Sequence, residues 1–139
     1  MSVKNEKNEE NQIRVGMKGE FSLTVSEENT AESLGSGSLP VFATPAMITA
    51  MEAAACNALG LEGGSTSVGT AVNISHVSAT PLGMRVTAWA EVTAVNGRMV
   101  EFSVRAHDES GLIGSGAHSR VIVDADRFLK KVYEKQKNL

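Results

Sequence analysis

A single carboxylate sits in the middle of an otherwise apolar helix. The stretch TPAMITAMEAAACNALG, Thr44 to Gly60, carries its own start and stop signals. Thr44 can cap, Pro45 suits the first helical position, and Gly60 suits the left-handed residue past the end. Between them the side chains are small or apolar all round, the pattern of a buried helix. Glu52 therefore has two readings. It lies at a gap in the sheet, solvated or paired with an arginine, or it is held partly desolvated as a general base. Thr49 and Cys56 share its helix face. Thr44 precedes it by roughly 12 Å along the axis, too far for direct contact but within reach of a bridging substrate or water chain.

His76 is the second group able to do chemistry. It ends TSVGTAVNISHVS, Thr66 to Ser78, a strand by composition and alternation. Val68, Val72, Ile74 and His76 share one face at period two. The histidine is then either a satisfied core residue or an acid–base group directed toward the layer of Glu52. Gly69 in the same strand marks a bulge, or a close backbone approach to a ligand with an N–H offered to an oxyanion. In the last strand His118 and Arg120 share a face with Ile122; Arg120 can hold a phosphate or pair with a carboxylate. His107 falls with Glu101 and Arg105 opposite the apolar face, where solvation is expected. Cys56 reads as a small hydrophobe rather than a nucleophile. Lys130, Lys131, Lys135 and Lys137 read as a solvated helix face. No G-x-S-x-G elbow, Walker loop, G-x-G-x-x-G or metal-type His/Cys spacing occurs, which removes elbow-type serine hydrolases, P-loop enzymes and zinc hydrolases.

The elements that must position these groups follow from periodicity. Ile13 to Val25 is a first strand, weakened by Gly16 and Gly19, and residues 26–40 form a polar Ser/Gly loop with room for one helical turn. After the helix come three strands, Thr66–Ser78, Met84–Ala94 and Arg98–Asp108, then Leu112–Val123. A three-residue Val95-Asn96-Gly97 loop pairs Val92 with Val100 and Ala90 with Phe102. That register unites Val86, Ala88, Ala90 and Val92 with Val100, Phe102, Val104 and Ala106 on one face. Asp124 can cap a final helix with Phe128, Leu129 and Val132 as its apolar stripe. The fold class is α+β, an antiparallel sheet wrapped around one long central helix, with a short C-terminal helix. So small a chain can hardly enclose that helix alone, and a dimer through a sheet edge or face is expected.

Composition sets the outer bounds. The 139 residues suffice for one domain, with 1–11 a disordered polar tail and 12–139 the folded unit. A net charge of -3 gives no reason to expect nucleic acid as a partner. The only long apolar segment, the helix, spans roughly 22 Å, short of a bilayer core of about 30 Å, so no membrane partner is expected. The tail has no apolar core of a signal peptide, and one cysteine fits a reducing cytoplasm.

Two long stretches resemble a known family. VFATPAMITAMEAAACNALG, followed by SVGTAVNISHVSATPLGMRVTAWAEVTAVNGRMVEFSVRAHDESGLIGSGAHSRVIVD, is similar to the hotdog-fold acyl-CoA thioesterases related to fluoroacetyl-CoA thioesterase. The resemblance runs from about Val41 to Phe128. It is carried by the spacing of Thr44 to Glu52, G-T-x5-H at Gly69 to His76, A-T-P-x-G at Ala79 to Gly83, and A-H-D before the last strand. It implies a hotdog fold, a homodimer, and hydrolysis of an acyl-CoA thioester with no cofactor beyond the CoA of the substrate; whether two dimers form a tetramer stays open. The family's catalytic threonine, glutamate and histidine fall on Thr44, Glu52 and His76. Its glycine whose backbone approaches the acyl group falls on Gly69, and its last-strand arginine falls on Arg120, a substrate-binding candidate whose role stays open. One departure bears on specificity. The fluoroacetyl-specific member carries an aromatic-bearing lid between first strand and helix, whereas ENTAESLGSGSLP has no aromatic residue, which implies a broader or different acyl group. Two rivals stand beside this expectation: a hotdog hydratase or dehydratase, whose helix would carry a histidine that this one lacks, and a non-catalytic acyl-CoA or lipid-binding module.

Overall fold

The computed structural model describes residues 12–139; the polar segment 1–11 lies outside them. The chain runs β1 (Lys18–Thr24), α1 (Ala31–Leu34), α2 (Thr44–Leu59), β2 (Ser65–His76), β3 (Arg85–Asn96), β4 (Met99–Asp108), β5 (Gly111–Asp124) and α3 (Ala125–Lys137). All pairings in the five-stranded sheet are antiparallel, in the order β1-β3-β4-β5-β2. The long helix α2 lies across the inner face, mainly against β1 and β3. No helix among the described residues is long and apolar enough to cross a membrane.

The core is the expected apolar face. Val86, Ala88, Ala90, Val92, Val100, Phe102, Val104 and Ala106 are all buried, and Met47, Ala50, Met51, Ala54, Ala55, Ala58 and Leu59 meet them from the helix. The larger of these side chains contribute about 1.5–3 kcal/mol each on burial. Helix and sheet approach most closely at Gly19, a residue that weakens the strand by propensity. A Cβ there would run into the backbone of Ala54 and Ala58. Glycine is thus required by packing, and Gly19→Ala is expected to cost about 1–3 kcal/mol through forced separation of β1 from α2. Chemical denaturation of the variant measures this; unchanged stability would show that the two backbones have slack.

Several expectations are corrected by the register. Asn96 pairs with Met99, so Gly97 and Arg98 form the hairpin loop. Val92 then faces Phe102 and Ala90 faces Val104, and an extra residue at Thr93 keeps Val95 opposite Val100. The apolar face survives because the shift is by two residues, which preserves side-chain direction. In β2, Gly69 pairs with Arg120 but Ala71 with Ser119, leaving Thr70 as a bulge. The bulge reverses the alternation. Val72, Ile74 and His76 share the inner face with their partners His118, Gly116 and Gly114, while Val68, opposite Val121, is turned to the other face.

Other contacts also depart from expectation. The N-cap of α2 is Ala43, without a side-chain cap, and Thr44 is already helical. Gly60 closes the helix as expected, left-handed at φ 55° with its N–H on the Cys56 carbonyl. The helix is covered on one side only: Thr49, Cys56 and Asn57 are exposed and Glu52 and Ala53 half-buried. Cys56 is therefore not a buried hydrophobe in the single chain. His107 stands edge-on to Trp89 at 5.1 Å rather than free in solvent. Asp124 caps α3 by accepting from the Arg127 N–H at 3.0 Å. The Phe128, Leu129 and Val132 stripe forms but stays largely exposed.

Candidate active site

The sequence-predicted residues gather into two clusters rather than one. At the start of α2, the Thr44 hydroxyl meets Nδ1 of His76 at 2.7 Å. The threonine hydroxyl is free to do so because it does not cap the helix. The second ring nitrogen of His76, Nε2, is buried without a hydrogen-bond partner among the described residues. Burial lowers the pKa of His76 below its ordinary 6.5, with the Ser78 backbone partly opposing this. The pair opens onto a cleft of about 290 Å³ walled by Ala31, Ser36, Phe42 and Val77. Residues of the polar loop, with the short helix α1, thus form one side of this cleft.

Two turns along α2, Glu52 meets the strands at β2 and β5. Its Oε2 accepts from Arg120 Nη1 at 3.1 Å. Arg120 is itself clamped: Nε donates to Ser67 Oγ at 2.8 Å and Nη2 to the Ser67 carbonyl at 3.1 Å. Nη1 also lies 3.2 Å from His118 Nε2. The glutamate side chain is 38 % exposed in the single chain, so it is an arginine-paired carboxylate with an open side. Of the two readings of Glu52, the arginine pair is present, and Arg120 is that arginine.

Gly69 fits both the bulge and the close approach. A Cβ built on it would lie 2.6 Å from Glu52 Oε2 and 3.5 Å from Arg120 Nη1. The approach is to the carboxylate of this chain itself. Gly69→Ala is expected to fold normally, because the obstructed atom is the end of a flexible side chain, and to lower kcat about 10- to 100-fold by displacing the carboxylate. Steady-state kinetics on the folded variant check this, and a wild-type kcat would remove Gly69 from the site.

Glu52 and His76 do not meet within the chain. Gly114, which pairs with His76, and Arg120, which pairs with Gly69, are six steps apart along β5. At about 3.4 Å per residue this is roughly 20 Å along the sheet. The inward direction of His76 was legible from its strand; its distance from Glu52 was not. His118 was missed as a member of the Glu52 cluster, although it shows the same sign as His76, a histidine on an apolar strand face beside Arg120.

Comparison with known proteins agrees with this architecture. Residues 25–126 match the model of the fluoroacetyl-CoA-specific thioesterase family. A fluoroacetyl-CoA thioesterase from Streptantibioticus cattleyicolor is 43% identical over 97 residues, covering 68% of this chain and 70% of that protein. A threonine-to-serine variant of a fluoroacetyl-CoA thioesterase, solved with acetyl-CoA, superposes with a TM-score of 0.81 at 37% identity, over 88% of this chain and 98% of that one. A hot-dog-like protein from Thermanaerovibrio acidaminovorans gives 0.80 at 30% identity, over 92% and 95%. With a central helix gripped by a five-stranded antiparallel sheet and a family match over most of its length, this chain is a hotdog-fold protein and belongs to the fluoroacetyl-CoA-specific thioesterase family.

Proposed function

We propose that the protein hydrolyses the thioester of a small or medium acyl-CoA, and that Thr44, Glu52 and His76 do the work from two copies of the chain. The observation that carries this reading is the separation of Thr44–His76 from Glu52–Arg120 within one chain, although each cluster is built and open. The β2 edge is free among the described residues, and the helix face beside it carries small side chains, Thr49, Ala53 and Cys56. A two-fold axis at Asn73, with the β2 edges antiparallel and Thr70 bulged out of the pairing, would set His76 of one copy opposite Gly69 of the other. It would also cover the bare side of α2. The working unit is a homodimer, with a tetramer as its further association. Its setting is the cytoplasm, with neither nucleic acid nor membrane as partner.

In this arrangement Glu52 attacks the thioester carbonyl or takes a proton from a water that does. On the first route the adduct collapses with loss of the thiolate to a glutamyl anhydride that water then hydrolyses; on the second it collapses to the free acid and thiolate. On both, His76 relays a proton released by the attacking water toward the thiolate. Thr44 orients the acyl group or His76, and the Gly69 N–H and Arg120 lie on the substrate side of the adduct. The loop contributes Ala31 and Ser36 to the cleft at Thr44 and His76, and the aromatic residue in its wall, Phe42, is buried beyond that loop, which supports an acyl group broader than fluoroacetyl.

The test is thiol release from acetyl-, fluoroacetyl- and longer acyl-CoAs. Release across several small or medium acyl groups is expected. Saturable binding without release for any chain length would favour a binding module, and loss of enoyl absorbance a hydratase. The pH profile gives a second check. Neutral His76 is the active form; burial lowers its pKa in the single chain, and the Glu52 carboxylate that the second copy would bring raises it, so kcat/KM should fall on the acid side, below 6.5 where burial prevails. The stability contributed by a buried neutral imidazole is lost over the same acid range. An acid limb centred above 6.5 would show the second copy's carboxylate outweighing the burial that lowers His76 in the single chain.

A further inference from the structure

His118 is buried, and nothing in the reaction above uses it. Its hydrogen bonds define its protonation. Nδ1 lies 2.8 Å from the Ala71 carbonyl oxygen, which can only accept, so Nδ1 carries the proton. Nε2 lies 3.2 Å from Arg120 Nη1, which can only donate, so Nε2 offers its lone pair. Only the neutral Nδ1–H tautomer satisfies both. The direction of its pKa agrees: burial, foremost, lowers it, the Ala71 bond raises it, the Arg120 charge lowers it and the Glu52 charge raises it. Phe102 of β4 stacks on the ring at 5.8 Å and adds no charge.

The consequence reaches Glu52. The two hydrogens of Arg120 Nη1 are divided between His118 Nε2 and Glu52 Oε2. Ser67 holds Nε and Nη2, so the fork is fixed from both ends. Glu52 Oε2 is thereby pinned, and among the described residues no hydrogen bond reaches Oε1. We propose that His118 is a positioning residue: as the neutral Nδ1–H tautomer it accepts from Arg120 and so aims the free Oε1 of Glu52 at the reacting carbonyl or its water. Without that acceptor one Nη1 hydrogen is left buried and unpartnered, and the guanidinium shifts toward other oxygens, taking the carboxylate with it. The Thr70 bulge has a part in this, since it lies between Gly69 beside Glu52 and the Ala71 carbonyl that sets the tautomer.

This inference rests on Glu52 being the reacting carboxylate, and its test separates the two. In His118→Phe the ring packing is kept and the acceptor lost; in His118→Asn the donor to Ala71 is kept and the acceptor lost; in His118→Gln an acceptor can reach Arg120. Phe and Asn are expected to lower kcat about 100-fold, the scale of a reacting group displaced by about an ångström, with KM within about twofold. Gln is expected to recover about tenfold of that loss. Equal kcat in Gln and Phe, or wild-type kcat in Phe, would overturn the role. Nitrogen-15 NMR of the wild-type imidazole reads the tautomer without any substrate: a protonated Nδ1 and bare Nε2 support the lock, and a protonated Nε2 overturns it. If wild type releases no thiol from any acyl-CoA, the thioesterase reading fails while the spectrum still decides the lock.

Discussion

Replacing Glu52 with glutamine is expected to lower kcat for thioester hydrolysis about 10³-fold, in the range observed when a general base is removed. The substitution keeps size and one oxygen, so Arg120 Nη1 retains an acceptor at Oε2 and the clamp by Ser67 and His118 stands. What is lost is the carboxylate's ability to attack or to take a proton. Because the change is nearly isosteric, substrate binding and folding should hold, placing the loss in kcat rather than KM. Glu52→Ala is the poorer test, as it also leaves Arg120 a buried cation without its partner. A glutamine variant within tenfold of wild type would mean that the carboxylate is structural, and that the Glu52–Arg120 pair serves only to hold α2 on the sheet.

Much of this site could be read from the residues. The helix with its carboxylate, the inward histidine at the end of β2 and the glycine opposite Arg120 are local features of pattern and spacing. Periods of 3.6 and 2 report such features directly. The apolar face of β3 and β4 was legible for the same reason. What failed was anything set by one inserted residue. Thr93 is a bulge in a strand whose composition gives no sign of it, while Gly69 signals the bulge at Thr70 but not which side chains it turns; each changes register or side-chain direction downstream. Val68 was misassigned to the inner face on that account.

Two further differences arise from tertiary choice. Thr44 has a capping side chain, but its hydroxyl goes to His76, and β2 brings that ring to the helix start only once the sheet is folded. The all-round apolar helix predicts burial, yet its Glu52 side is uncovered in one chain. The prediction is not simply wrong there, because such a face, next to a free 12-residue strand edge, is what a second copy would cover. The role of His118 is not legible in the sequence, where Arg120 can pair with a carboxylate but nothing says with which one. Once Arg120 is seen to pair with Glu52, the histidine beside it becomes part of the same network.

The shared site is tested most directly by a heterodimer of two crippled chains. Co-express Glu52→Gln and His76→Ala chains under different affinity tags, and isolate the dimer carrying both. Each parent homodimer should be nearly inactive. If Glu52 of one copy works with His76 of the other, the heterodimer has one site with both lesions and one with neither. It should then turn over at about half the wild-type rate per dimer, a gain of several hundred-fold over the glutamine parent. A heterodimer as inactive as its parents would place Glu52 and His76 in the same chain's site and contradict the two-copy arrangement.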